Sequence, residues 1–331
     1  MGWTGVDLFF VLSGFLITRI LLTSKNSRHY FKNFYLRRML RIFPLYYAAL
    51  VCGIWLIPAI LPETIVQPYL GQSQSHQGWL WSYSVNIART FIPIVSFGMF
   101  SHFWSLAIEE QFYIIWPSVV KWLEPKRLFY VCLSIIAVSL FGRIVCCSMT
   151  PDWGVAYMLT IFRLDSLASG SILALLIYTK DKDKILFYFR KAQQGLKILG
   201  VLLIVLFFLI NPFYPSNWFV LTFGLLLLAV CAACLVLHCI NEVPSTKIRT
   251  IFSARLLQWF GKYSYGMYVL HFPILFITRD SSIAVALKTP WPAINGWVFL
   301  FSGLLATSLA AWLSYHMLEL PFLKMKKYFA Y

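Results

Sequence analysis

The chain has 331 residues, of which 60% are hydrophobic, 18% aromatic and only 12% charged, with a net charge of +16. A globular domain carries about 25% charged residues, so a soluble protein is excluded: too little polar surface exists to cover this much apolar surface. A nucleic-acid-binding patch is excluded as well, because the basic residues are spread over alternate loops, as cytoplasmic loops of membrane proteins require.

The expected fold class is all-α, a polytopic transmembrane helix bundle of about nine spans, forming one integral membrane domain over residues 1–331. A crossing helix needs about 20 mainly apolar residues. Suitable stretches are 5–22, 42–62, 100–120, 128–148, 156–178, 197–211, 218–239, 260–278 and 294–316. The segments 19–41, 121–127, 180–197 and 247–262, together with the C-terminal tail, hold 23 of the 28 Lys and Arg residues. They alternate with nearly uncharged loops, which places the basic side and the C-terminus in the cytoplasm and, with nine spans, the N-terminus outside.

The first span, "GVDLFFVLSGFL" from Gly5, lacks the basic segment and cleavage pattern of a signal peptide. It holds Asp7 at its outer mouth, where it either caps the helix or faces a polar cavity. Next comes "YLRRMLRIFPLYY", with Arg38 and Arg41 one turn apart. Two guanidinium forks on one face suit phosphate oxygens, and plain cytoplasmic anchoring is the alternative. Residues 63–99 read as the one large outer loop, bounded by Pro62, with Gly71, Gly78, Pro93 and the interface-favouring Trp79, Trp81 and Tyr83.

The third span opens "SHFWSLAIEEQFYIIWP". His102, Ser105, Glu109 and Tyr113 recur at helical spacing and are expected on one face. A histidine and a carboxylate so placed can orient or deprotonate a hydroxyl; an interfacial His102 and a structurally bonded Glu109 are the alternative. The fifth span carries "RLDSLASGSILA". There Arg163 and Asp165 read as ion-pair scaffolding, and Ala168, Ser169, Gly170 and Ser171 permit close helix packing. The sixth span ends at Asn211-Pro212. Cys231 and Cys234 form a CxxC inside the apolar seventh span and read as small helix residues. In "FGKYSYGMYVLHFP" of the eighth span, Ser264, Tyr268 and His271 share a face, and Pro273 frees a backbone carbonyl. Glu319 follows the last span and reads as an interfacial ion-pair partner. The sequence has no hydrolase elbow, metalloprotease, phosphate-loop or dinucleotide motif. No metal site and no bound cofactor are expected.

Six strings in order, "GVDLFFVLSGFLI", "RRMLRIFPLYY", "HFWSLAIEEQFYIIWP", "RLDSLASG", "GKYSYGMYVLHFP" and "YHMLELP", resemble the motifs of the acyltransferase-3 family of integral membrane acyltransferases. The resemblance runs from Gly5 to about Pro321. It implies a core of ten helices and transfer of an acyl group, by family habit acetyl, from cytoplasmic acyl-CoA as co-substrate to a hydroxyl of a cell-surface or exported carbohydrate or glycolipid. It implies a multi-pass protein of the inner or plasma membrane, with the lipid bilayer but no nucleic acid as partner. Arg38 and Arg41 resemble the family's cytoplasmic motif for the CoA phosphates. Trp104, Ser105, Glu109 and Gln111 match a second motif, and Ser264, Tyr265, His271 and Pro273 match a third. The family pattern also begins with a helix bearing an arginine and, eleven residues later, a histidine held to be catalytic. That helix does not precede Gly5 here, so the chain reads as N-terminally truncated relative to the family: either the protein starts further upstream, the favoured reading because the other motifs are intact, or it is an inactive remnant.

The expected catalytic set is therefore Glu109, His102 and His271, the two histidines as replacement bases. The acyl-donor pair is Arg38 and Arg41. Asp7, Trp104, Ser105, Gln111, Arg163, Asp165, Ser264 and Tyr265 are expected to line the substrate cavity. The rival functions are a polysaccharide or lipid transporter, against which stands the lack of an evident inverted repeat, and an inactive remnant acting as a scaffold.

Overall fold

The structure is a computed structural model that describes residues 3–92, 94–150, 152–178, 181–209, 214, 216–240, 246–280 and 292–329. Pro93 and Asn211-Pro212, singled out above, lie outside them. Every regular element among the described residues is helical.

Helices stand at each of the nine predicted places: α1 (Thr4–Thr23), α2 (Tyr30–Val51), α3 (Trp104–Trp122), α4 (Pro125–Met149), α5 (Leu164–Tyr178), α6 (Lys182–Leu209), α7 (Leu225–His238), α8 (Arg255–Asp280) and α9 (Pro292–Ser314). Three of them lengthen through π turns. The α2 run continues through Cys52–Leu56 to Ile60, α7 is preceded by Val220–Gly224, and α9 continues into Tyr315–Glu319. Among the described residues, five runs suffice by length and composition to cross a membrane: Thr4–Thr23, Tyr30–Ile60, Pro125–Met149, Val220–His238 and Gly296–Phe329. Leu164–Tyr178 is apolar but shorter, because the predicted span at 156–178 is broken into a helix Trp153–Met158, a 3-10 turn Thr160–Phe162 and α5. Bulky apolar side chains such as Ile114, Phe141, Ile204 and Leu305 point outward, which suits contact with lipid. Ahead of α6, Asp181 accepts backbone hydrogen bonds from Lys184 and Asp183. Those from Lys184 do most to hold its carboxyl below the usual carboxylate range.

The chain sorts into two compact units. Unit 1 comprises Met1–Tyr30, Arg89–Phe91 and Ser105–Ala254, and so holds α1 and α3 to α7 apart from their boundary residues. Its core is a helix crossing of unusual closeness between α1 and α5. A Cβ on Gly14 would stand 2.0 Å from the carbonyl oxygen of Leu167, and one on Gly170 would stand 1.9 Å from that of Val11. The predicted small-residue stripe of α5 therefore packs directly on the backbone of α1, where van der Waals contact rather than burial from water holds helices together. Val11 and Phe15 of α1 then reach Leu173, Ala174 and Ile177 of α5 and Ala229 and Val236 of α7. Alanine is the better helix former by about 1 kcal/mol. Even so, Gly170→Ala is expected to lower the melting temperature in detergent, because overpacking costs about 1–3 kcal/mol; an unchanged melting temperature would refute this crossing.

Unit 2 comprises Phe31–Ala88, Ile92–Trp104 and Arg255–Tyr331. The outer segment is partly helical, in line with the aromatic content that suggested helix within it. Helices Glu63–Leu70, Gln77–Trp81 and Val85–Phe91 divide it, and a 3-10 turn Gly98–Phe103 closes it. In unit 2 this segment folds back on α2: Tyr46 donates to the carbonyl of Leu80 at 2.7 Å and stacks on Tyr83 at 4.0 Å, and Trp81 stacks on Tyr47. Trp81 and Tyr83 thus serve intramolecular packing, where composition alone suggested the lipid interface. Gly98 adopts a positive φ of 49° at a point where a Cβ would meet the carbonyl of Tyr69 at 2.0 Å, so no other residue fits that turn.

Candidate functional site

Unit 1 holds two buried polar networks. In the first, Arg163 donates to Asp7 at 2.9 Å, and Ser166 donates to the same carboxylate oxygen at 2.9 Å. The guanidinium also lies over the rings of Tyr157 and Phe10, at 5.0 and 5.6 Å. Beside it, Arg143 pairs with Asp165 at 2.6 Å and donates to the carbonyls of Phe162 and Thr222. All four charged side chains are at most 1% exposed. Asp7 makes no end cap on α1: its charge is matched from α5's start. Asp7, Arg163 and Asp165, expected to line a substrate cavity, are engaged in cross-links between helices. Charges at this depth are tolerated only as such pairs.

The second network centres on Glu109 of α3. Its carboxylate accepts a hydrogen bond from Ser13 at 2.6 Å and another from Tyr113. Nearby, Trp116 donates to Thr18, which donates to Ser171, both at 2.8 Å, so α3, α1 and α5 are tied in series. Thr160 donates to Gln111. The predicted shared face holds for Glu109 and Tyr113, one turn apart. Ser105 is buried on the same helix. His102 is the exception. It lies in the 3-10 turn ahead of α3, in unit 2, where the 3.6-residue phase of α3 does not extend.

In unit 2, His102 is buried against Phe103, Phe272 and His271, with ring centroids at 4.6, 5.0 and 4.9 Å. Pro273 has no N–H to offer the carbonyl four residues earlier, and that carbonyl is Val269's. Trp104, at the end of this turn, is buried. Tyr268 donates to the carbonyl of His102 at 2.9 Å.

His271 differs from His102 in what it faces. Its Nδ1 lies 2.6 Å from the carbonyl of Tyr268. A carbonyl can only accept, so Nδ1 carries the proton and Nε2 carries the lone pair of the neutral ring. Together with Ser264, Tyr268 and Thr307, His271 lines an open, largely apolar groove of about 500 Å³ between α8 and α9, whose remaining walls include Met267, Leu275 and Leu304. Ser264, Tyr268 and His271 therefore share a face as their spacing predicts, and that face lines the groove. Ser264 itself donates to the carbonyl of Gly261.

Arg38 and Arg41 lie on α2 of the same unit. Tyr265 donates to the carbonyl of Ile42 at 2.6 Å, so it braces α2 at the residue beside Arg41 rather than lining the groove. Glu319, in a π turn after α9, accepts from Ser314 at 3.1 Å and feels the charge of Arg41. Arg37 donates to the carbonyls of Lys326 and Phe329.

Sequence reasoning missed Ser13, Arg143, Arg37 and Lys326. Ser13 reads as a bend beside Gly14, and its partner is 96 positions away. Arg143 had a usable signal, an arginine in the middle of an apolar 25-residue helix. Nothing in the sequence separates Lys326 from its neighbours Lys324 and Lys327.

A family model described as "Acyltransferase domain" matches residues 1–316. A peptidoglycan O-acetyltransferase from Listeria monocytogenes is 31% identical over 335 residues, covering 98% of this chain and 51% of that protein. An O-acetyltransferase from Staphylococcus aureus is 28% identical over 346 residues, with coverages of 98% and 53%. A putative O-acetyltransferase from the same species is 29% identical over 338 residues, again with 98% and 53% covered. The chain spans about half the length of these curated relatives. No solved structure matches it.

Proposed function

Because the chain belongs to the acyltransferase-3 family, we propose that it is a membrane acyltransferase that moves an acetyl group from cytoplasmic acetyl-CoA to a hydroxyl of a cell-surface carbohydrate. The relatives' names point to a cell-wall glycan as the acceptor. The excess of basic residues places its C-terminus in the cytoplasm, in a multi-pass arrangement in the cell membrane.

The observation that carries the reading is His271, whose Nδ1 is engaged by the carbonyl of Tyr268, leaving Nε2 as the acceptor of the neutral ring on the wall of the groove. In the proposed reaction Nε2 takes the proton of the acceptor hydroxyl. The oxygen attacks the thioester carbonyl carbon, the C–S bond breaks, and the departing thiolate of CoA takes up a proton, which yields the ester and free CoA. General-base help of this kind contributes about 10²–10⁴-fold. Glu109 is committed to Ser13 and Tyr113, and His102 is packed against Phe103 and Phe272 with its carbonyl held by Tyr268. We assign both to positioning. Arg38 and Arg41 are assigned to the donor's phosphates. Tyr265, which touches α2 beside Arg41, precedes His271 by six residues, about 9 Å along a helix. The extended arm of CoA, which carries the thioester away from its phosphates, bridges such a distance.

Steady-state kinetics with acetyl-CoA test the donor assignment. Arg41→Ala is expected to raise KM for acetyl-CoA about 10- to 100-fold, the worth of one charge-assisted contact, with KM for the carbohydrate unchanged. An unaltered acetyl-CoA KM in both Arg38→Ala and Arg41→Ala would refute it.

A further inference from the structure

The groove at His271 is longer than an acetyl group requires. Its α8 wall runs from Phe260 to Leu275, about 22 Å of helix. The glycines give its register. A Cβ on Gly266 would meet Cβ of Ala311 at 3.2 Å, and one on Gly303 would meet Cδ2 of Leu275 at 2.6 Å. Helices α8 and α9 therefore run antiparallel, with Thr307 at the level of His271.

That register divides the groove at His271. Toward the start of α8 its wall carries the hydroxyl-bearing Ser264 and Tyr268. In the other direction the described lining is Leu275, Leu300, Gly303 and Leu304, with no polar side chain among them. Leu300 and Leu304 are 53% and 45% exposed, so this end is open among the described residues. A polar site with hydrocarbon beyond it matches an acyl thioester. The carbonyl carbon must sit within reach of the hydroxyl that Nε2 deprotonates, and whatever that carbon carries must continue from there. An acetyl group carries a single methyl and leaves most of the apolar end unfilled. A bilayer lipid tail lying along the whole groove would instead set hydrocarbon against Nε2, and a polar atom buried without a partner is costly.

We propose that the end of the groove beyond His271, walled by Leu275, Leu300, Gly303 and Leu304, holds the hydrocarbon of the transferred acyl group, so that the protein takes acyl donors longer than acetyl. The proposal rests on the acyl-transfer reading above, with His271 as its base, and adds to it a binding site for the acyl chain. The bonds are those of the acetyl reaction. The ester C–O bond forms, the thioester C–S bond breaks, and the hydroxyl proton passes through His271 to the departing thiolate. Chain length enters through binding alone. The donor arrives from water, so each methylene seated in the groove is worth about 4-fold in affinity.

The test is a chain-length series of acetyl-, butyryl-, hexanoyl- and octanoyl-CoA, given to the protein in proteoliposomes with cell-wall glycan fragments and read as kcat/KM for ester formation. The wild type is expected to use hexanoyl-CoA at least as well as acetyl-CoA. Leu304→Trp fills the apolar end and is expected to lower the hexanoyl-to-acetyl ratio of kcat/KM about 10-fold or more. Leu304→Ala widens that end and is expected to shift the preference toward octanoyl-CoA. Leu304 is 45% exposed, so both variants are expected to melt as the wild type does. A wild type that transfers acetyl but rejects hexanoyl would leave this end of the groove to bilayer lipid; it would overturn the proposal with the acyl-transfer reading intact. A hexanoyl-to-acetyl ratio unmoved in both Leu304 variants would overturn it in the same way. Ester from none of the four donors would overturn the acyl-transfer reading itself, and the proposal with it.

Discussion

Asp7→Ala is expected to deplete the folded protein from the membrane. The substitution leaves the guanidinium of Arg163 buried without its carboxylate, and breaking a buried pair in this way costs about 3–5 kcal/mol. Whole domains have only about 5–15 kcal/mol in reserve. The α1–α5 crossing amplifies the effect, since Gly14 and Gly170 hold the two backbones too close for either helix to shift and rehydrate the charge. The double variant Asp7→Leu with Arg163→Met removes both charges and is expected to recover more folded protein than either single variant, as buried pairs replaced by apolar groups commonly do. Size-exclusion profiles and melting temperatures in detergent decide the matter. A monodisperse Asp7→Ala protein with a wild-type melting temperature would show that the pair does not hold the bundle.

His271→Ala is expected to lower acyl transfer by about 10²–10⁴-fold while the melting temperature stays near wild type. One side of the ring faces the groove while the other packs on His102, so the conservative variant His271→Gln is the control for packing. Glu109→Gln provides the contrast. Glutamine keeps an oxygen to accept from Ser13 or Tyr113, and the expected loss is in stability more than in turnover. If His271→Ala turns over normally, the base lies elsewhere and the groove between α8 and α9 is not the reaction site.

The architecture was readable because lipid imposes a simple rule on the sequence. A helix stands at each of the nine predicted places, since apolar stretches must satisfy their own backbone within helices. The stretch 156–178 is nevertheless interrupted by a 3-10 turn, and among the described residues five runs are long and apolar enough to cross. The small-residue stripe of α5 and the shared face of Ser264, Tyr268 and His271 were legible for the same reason, both being local periodicity. Partner identity was not. Asp7 carries equal weight as cap or cavity residue until Arg163 is seen beside it, 156 positions away. His102 fell out of phase because a 3-10 turn replaces the first turn of α3, and no residue there announces the change. The folding of residues 63–99 onto α2 depends on Tyr46, Tyr83 and Trp81 finding one another, while composition speaks only of aromatic content.

The central claim, that the chain transfers an acyl group, is tested most directly by supplying the protein in proteoliposomes with radiolabelled acetyl-CoA and cell-wall glycan fragments. The account predicts label on the glycan as an alkali-labile ester, in amounts that follow acetyl-CoA and vanish in His271→Ala. Passage of unmodified glycan across the vesicle membrane with no ester formed would contradict it and establish a transporter in its place.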